Sequence, residues 1–162
     1  MALVEPSRGL IELYFNADVL NRAIEDLERR DAAIVRLDAG SWFRDTALLA
    51  LADALDFPEH FGRNLDALSD CLFDVVAGET GFGKHDGTRV LAIYQFDSLV
   101  RNDPTFAHEL VEILFENAIM ALKLGRPFLV MLQTDDPELT LPTVGATPIG
   151  WNRAEFGRST RS

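Results

Sequence analysis

Residues 57–72 read Phe-Pro-Glu-His-Phe-Gly-Arg-Asn-Leu-Asp-Ala-Leu-Ser-Asp-Cys-Leu. Set at about 100° per residue, the second half of this stretch and the residues after it predict one helix with two faces. One face carries Asp66, Asp70 and Asp74, a row of carboxylates near the helix start. The opposite face is apolar and predicts burial against a core; it consists of Leu65, Leu68, Cys71, Leu72, Val75 and Val76.

This row of carboxylates has two interpretations, and the residues alone leave both open. Like charges at positions i and i+4 destabilise a helix by about 0.2–0.5 kcal/mol per pair. The helix dipole compensates Asp66 in the first turn, but Asp70 benefits less. No Lys or Arg occupies an i+4 position to neutralise the row. The row therefore indicates either a cationic partner or an ordinary solvated face on an acidic protein.

The residues before the helix predict an ordered loop. Pro58 fixes its own backbone, and Gly62 permits a conformation that other residues resist. Asn64 is a favourable N-cap for the helix. Such a loop would present His60 and Phe61 beside the carboxylates.

This stretch resembles the barstar family of intracellular inhibitors of barnase-like ribonucleases. Family members carry the run Pro-Glu-aromatic-aromatic-Gly-x-Asn-Leu-Asp-Ala-Leu-x-Asp-Cys-Leu. The present chain matches that run at Pro58 and Glu59, at Gly62, and then over 64–68 and 70–72. The resemblance covers about residues 32–133 and implies a small parallel sheet with helices packed around it.

The resemblance also implies a function and a set of contact residues. It implies that the chain inhibits a small basic ribonuclease by physical blockade, with helix carboxylates imitating the RNA phosphate. Asp70 would go deepest into the active site with Asp66 beside it, and the loop would pack around the cleft. The partner-binding residues that we expect are Asp66, Asp70, His60, Phe61, Gly62, Asn64, Ser69 and Phe73.

The chain departs from the family pattern at several of these positions. The family often has two tyrosines where this chain has His60 and Phe61, and it can have a tryptophan at the place of Ser69. A further acidic contact of the family falls near Met120. Phe73 borders the row, where it either supplies substitute aromatic contact or is partly buried against a neighbouring element. Whether the target is a different nuclease or another protein stays open.

Composition bounds the class of protein. The 162 residues, 48% hydrophobic and 25% charged, suffice for one domain with a proper core. A formal net charge of -11 makes nucleic acid a poor partner and a basic protein a good one. The single cysteine, Cys71, excludes an intramolecular disulfide. Its position on the apolar face of the helix predicts a small buried side chain. Because the sequence shows neither a secretory signal nor a bilayer-spanning stretch, we expect a cytoplasmic protein. We also expect the protein to be monomeric when free.

Strands and helices alternate along the chain, which favours an α/β sandwich with a small, mainly parallel sheet of three to four strands packed with helices. We expect strands at 9–15, 33–37, 90–94 and 128–132, and helices at 18–30, 45–56, 64–76 and about 103–124. In the second helix, the expected buried residues are Leu48, Leu49, Leu51, Ala52 and Leu55.

Three parts of the chain are distinguished by these patterns. Residues 1–31 read as a strand–helix extension packed on the body, whose strand adds to the sheet edge. Residues 32–133 form the barstar-like domain. Residues 134–162 are rich in Pro, Gly and Thr and read as an irregular tail that Trp151 and Phe156 pin to the body.

No catalytic, cofactor or metal site is predicted. Residues 78–84 match the start of a phosphate-binding loop, but His85 follows where Ser or Thr is needed. The three histidines lack the spacing of a zinc site. An exposed helix face also offers no pocket in which Asp66 and Asp70 could work as acid and base. We therefore expect a binding protein that is not an enzyme.

Two other functions remain open. The chain could be a non-inhibitory binding module of the same fold for another basic protein or a toxin. It could also be a structural interaction domain whose tail recruits a partner. An assay of RNA cleavage tests the first alternative, and deletion of the residues after Thr134 tests the second.

Overall fold

Four parallel strands form one sheet in the order β1-β4-β3-β2, in a computed structural model that describes residues 9–144 and 147–155. Every neighbouring pair of these strands is parallel, so the predicted fold class is confirmed. The elements in chain order are β1 (Ile11–Tyr14), α1 (Ala17–Arg29), β2 (Ala33–Asp38), α2 (Arg44–Ala54), α3 (Leu65–Val76), a short 3₁₀ turn (Phe82–Lys84), β3 (Arg89–Tyr94), α4 (Phe96–Asn102), α5 (Pro104–Lys123) and β4 (Phe128–Gln133).

The N-terminal strand lies at one edge of the sheet, as the sequence predicted. β1 pairs with β4, with Leu13 opposite Leu132. β2 forms the other edge and pairs with β3. Because parallel strands need a crossover connection, α1 carries the chain from the first edge to the second.

The two faces of the sheet are covered by different helices. Side chains alternate between the faces along each strand, so Leu91 and Val130 enter one core while Val90 and Leu129 enter another. The larger core is shared with α2, α3, α4 and α5. The smaller core is closed by the apolar side of α1, namely Val19, Leu20, Ile24 and Leu27.

Capping side chains begin α3 and α5, and the first of these caps, Asn64, was predicted from the sequence. The Asn64 side chain accepts a hydrogen bond from the Ala67 N–H, and the Asp103 side chain accepts one from the Phe106 N–H. Pro104 occupies the first position of α5. These caps satisfy N–H groups that have no partner inside the helix.

The structure differs from the sequence-based predictions in three places. α2 ends at Ala54 rather than at Asp56, because Asp56 adopts a left-handed backbone with φ of 58°. Leu49 is 43% exposed, because Leu48 and Leu51 already turn the helix toward the core. The short helix α4 was missed, since an apolar strand runs directly into it.

The tail is joined to the sheet edge by Trp151. Leu13 and Trp151 form an isolated parallel bridge, and Trp151 packs against the larger core. The other expected anchor, Phe156, lies outside the described residues. In the described part of the chain, no helix has the length and apolar character needed to cross a membrane.

Candidate functional site

Helix α3 is held in the protein by its apolar face. Leu68, Leu72 and Val76 are fully buried, and Cys71 is 8% exposed. Burial raises the pKa of the Cys71 thiol, and the negative charges of Asp74 and Asp70 raise it further. The thiol therefore stays protonated, as expected of a small buried side chain rather than a reactive cysteine.

The opposite face of α3 presents the row of carboxylates to solvent. Asp66, Asp70 and Asp74 are all exposed. Their carboxylates make no hydrogen bond or ion pair with any residue of the described ranges. At 1.5 Å of rise per residue, the row spans about 12 Å. It is a strip of unpaired negative charge on a rigid helix.

The loop before α3 is ordered by its own contacts. The Phe61 N–H donates to the Pro58 carbonyl at 2.9 Å, and the rings of Phe57 and Phe61 meet edge to face with centroids 5.1 Å apart. At the helix start, Asn64 Oδ1 accepts from the Ala67 N–H at 2.8 Å. These contacts fix the loop beside the acidic row.

Gly62 has a different role from the one that the sequence suggested. The left-handed residues of this loop are Asp56 and Arg63, with φ of 58° and 53°, and Gly62 is not among them. A Cβ atom at Gly62 would lie 3.1 Å from Asn64 Nδ2. The Asn64 amide also donates to the Gly62 carbonyl at 3.3 Å. A side chain at this position would therefore crowd the capping side chain of Asn64.

The remaining expected contact residues are placed unevenly. His60 and Asn64 are exposed, and Phe73 is 45% exposed beside the row. Ser69 is half-buried. Phe61 is also half-buried, because its ring turns toward Phe57 and the larger core. Of the two aromatic side chains, Phe73 is therefore the more available to a partner.

Met120, the residue near the further acidic contact of the family, packs partly buried against the larger core. It carries no charge, so it adds nothing to the acidic face.

A buried arginine that sequence reasoning missed holds the other end of α3. Arg89 is 1% exposed, and its guanidinium donates to the carbonyls of Val75 at 2.6 Å and Val76 at 3.1 Å. It also donates to the Arg126 carbonyl at 2.6 Å. The last turn of α3 has no basic residue of its own, so Arg89 supplies the positive charge that a helix C-terminus favours.

The charge of Arg89 persists at neutral pH. Burial, and secondarily the nearby charge of Arg126, lowers the pKa of Arg89 to about 10. Arg126 itself donates to the Ala77 carbonyl at 2.6 Å and to Asp86 at 2.8 Å. A side chain at Gly78 would overlap the Arg126 guanidinium. No local pattern around Arg89 could have revealed these contacts, because its partners lie in other segments.

The segment that resembles a phosphate-binding loop has another form. Residues 82–84 make the 3₁₀ turn, and the segment connects α3 to β3. An open cleft of about 480 Å³ lies beside it. The lining of this cleft contains two carboxylates, Asp56 and Glu79, against one cation, Lys84, which is an unfavourable balance for binding a phosphate. Among the described residues, no cluster of His, Cys, Asp and Glu could hold a metal ion.

Comparison with known proteins shows the family of this chain. Residues 32–133 match the barstar family, described as barnase inhibitor, and the chain belongs to that family. Its description is that of an inhibitor rather than an enzyme. A protein of Bacillus subtilis (strain 168) named "Putative ribonuclease inhibitor YrdF" is 38% identical over 66 residues. That similarity covers 41% of this chain and 63% of the relative, which is less than two thirds of its length.

Proposed function

We propose that this protein inhibits a small basic ribonuclease by filling its active site with the carboxylates of α3. Ribonucleases hold RNA phosphate with cationic side chains, and a carboxylate offers those cations a similar negative group. Asp70 enters deepest and Asp66 lies beside it. His60, Gly62 and Asn64 contact the rim of the cleft.

One observation carries this proposal: three exposed carboxylates stand in a row on a rigid helix without a partner among the described residues. Like charges on one helix face are unfavourable for the free protein. A cationic surface would relieve that repulsion on binding. The formal net charge of -11 would also steer a basic partner toward the complex.

The residues expected at the rim of the cleft differ from those usual in the family, which indicates a different target. His60 and Ser69 stand where the family often has larger aromatic side chains, so contact area is lost there. Phe73 is exposed one turn further along the helix. Exposed aromatic residues are common anchors of interfaces, and we assign Phe73 that role here.

The test is a titration of RNA cleavage by the ribonuclease encoded in the same or a neighbouring strain. The native protein should abolish cleavage at a one-to-one ratio, and Asp70→Asn should not. The matched control is Glu25→Gln, which removes the same charge from an exposed position on α1, on the opposite face of the sheet. Equal inhibition by the Asp70→Asn protein would overturn the proposed site.

The alternative is a non-inhibitory module that binds another basic protein or a toxin through the same row. The lost aromatic side chains at 60 and 69 favour it. Capture from a lysate with native protein and with Asp70→Asn distinguishes the two. A basic partner that is lost with Asp70→Asn, while RNA cleavage stays unaffected throughout, supports the alternative.

A further inference from the structure

The outer edge of β1 is covered by the segment 149–155, which we call the edge strap. The Leu13 N–H donates to the Gly150 carbonyl at 2.9 Å, and the Asn152 N–H donates to the Leu13 carbonyl at 2.8 Å. Ile149 is 8% exposed and anchors the start of the strap in the larger core. The strap therefore acts as a short additional strand beside β1.

Side chains of the strap complete this attachment. Glu155 Oε1 accepts from the N–H groups of Phe15 and Asn16, both at 2.9 Å, where α1 begins. Asn152 Nδ2 donates to Glu12 Oε1 at 3.0 Å. Both the strap and β1 lie outside the family match of 32–133, so the two flanks of that domain hold each other.

Without the strap, β1 would be an unpaired edge that can pair with a copy of itself. Leu13 directs both its N–H and its carbonyl away from β4. In an antiparallel pair, two residues of this kind exchange both hydrogen bonds. A two-fold axis beside Leu13 would therefore pair β1 with β1 of a second copy, and would set Phe15 opposite Ile11. Phe15 is already 43% exposed.

The other sheet edge has a different protection. β2 carries exposed charged side chains at Arg36 and Asp38, and Arg36 pairs with Glu28 at 3.3 Å. Charges on an edge strand hinder pairing with another sheet. The charged side chain of β1, Glu12, is 7% exposed and accepts a hydrogen bond from Asn152 of the strap, so β1 exposes no charge while the strap is in place. This edge depends on the strap.

We propose that the edge strap guards β1 against pairing with β1 of a second copy of this chain, and so keeps the protein monomeric. Release of the strap converts the four-stranded sheet into one half of a continuous dimer sheet. The inference does not depend on the proposed function, because the strap and β1 contribute no residue to the acidic row.

The test uses the full chain with the double substitution Asn152→Pro and Glu155→Ala. Proline removes the N–H that reaches the Leu13 carbonyl, and alanine removes the carboxylate over Phe15 and Asn16. Arg153→Ala is the matched control, since Arg153 makes no hydrogen bond or ion pair with another described residue. Hydrogen exchange follows the Leu13 and Phe15 amides, and light scattering follows the mass.

In the double variant, the Leu13 and Phe15 amides should exchange about tenfold faster in dilute solution, and a reversible dimer should form as the concentration rises. Adding Phe15→Lys, which places a charge on the edge, should restore the monomer. Unchanged exchange would show that the strap does not hold the edge. A monomer at every concentration, or aggregates that Phe15→Lys leaves intact, would equally overturn the proposal.

Discussion

Aspartate side chains occur in two opposite environments in this protein: exposed in the acidic row of α3, and buried at Asp97 in α4. Asp97 lies in the first turn of α4, is 4% exposed, and accepts hydrogen bonds from Arg101 Nη1 at 2.6 Å and the Asp135 N–H at 3.1 Å. Asp66, Asp70 and Asp74 are exposed and have no partner in the described ranges. A carboxylate that stabilises the fold is paired within the chain. The unpaired row is therefore available to another molecule.

The first way to sharpen this contrast is Asp70→Ala. The variant should stay folded, because the Asp70 carboxylate has no hydrogen-bond or ion-pair partner among the described residues. It should lose about 2–5 kcal/mol of binding to the proposed partner, whose active-site cations would be left buried and unpaired. A binding titration measures this loss, and Glu25→Ala on α1 is the control. Unchanged affinity would contradict the assignment of the row as the binding face.

The second way is Asp97→Asn, which should show the reverse pattern. Unfolding should become easier by about 1–3 kcal/mol, since the buried hydrogen bonds to Arg101 and Asp135 are weakened. Inhibition by the folded variant should be retained. Denaturant unfolding measures the first effect, and titration of ribonuclease activity measures the second. A variant of native stability would mean that Asp97 is not a structural anchor.

The ion pair of Asp97 with Arg101 also makes the stability of the fold depend on pH. Burial alone would raise the pKa of Asp97, but the hydrogen bonds from Arg101 and Asp135, with the Arg101 charge, lower it below its ordinary value of 3.8. A lowered pKa in the folded state contributes stability above 3.8, which is lost as the pH falls through the folded-state value. The native protein should therefore lose more stability on acidification through this range than Asp97→Asn does.

The third way to sharpen the contrast is to vary the salt concentration. The exposed row attracts a basic partner through solvent, where ions at about 0.15 M screen beyond about 8 Å. The association rate should therefore fall by about tenfold between low and high salt. Stopped-flow mixing measures this rate. The free energy of unfolding, measured at the same salt concentrations, should change less, because the carboxylate of the Asp97–Arg101 ion pair is buried. A flat rate profile would indicate a mainly apolar interface.

The smallest expected effect belongs to Cys71→Ser, on the apolar face of α3. A serine hydroxyl would lie at a position that is 8% exposed, without an evident partner. This should cost about 1 kcal/mol of unfolding free energy. Inhibition should survive at temperatures where the fold persists. If the denaturant midpoint were unchanged and inhibition were lost, the functions of the two helix faces would be reversed.

Much of the scaffold of the site could be predicted because it depends on neighbouring residues. The burial of Leu68 and Leu72, the exposure of Asp70 and the Asn64 cap all follow from contacts within one or two helical turns. Such contacts leave a periodic or capping pattern in the sequence. The partner-binding role of these residues stays a prediction.

Two details of the loop, one of them predicted wrongly, depend on how side chains meet in space. Gly62 was expected to need a special backbone, but the left-handed conformation belongs to Arg63. The role expected of Phe61 at the rim stays a prediction, and the contact of its ring with Phe57 is a feature that the sequence did not reveal. Neither outcome is encoded in the identity of one residue, since each is settled by the competition of several side chains for the same space.

The sequence by itself determined the parallel α/β class, the two faces of α3 and the acidic row, because each rests on periodicity along a single segment. Only the tertiary structure decided what secures that helix and closes the sheet. Arg89 reaches the carbonyls of Val75 and Val76, and the edge strap pairs with β1 across almost the whole chain. Contacts between distant segments carry no periodic signal, because folding alone brings the two partners together.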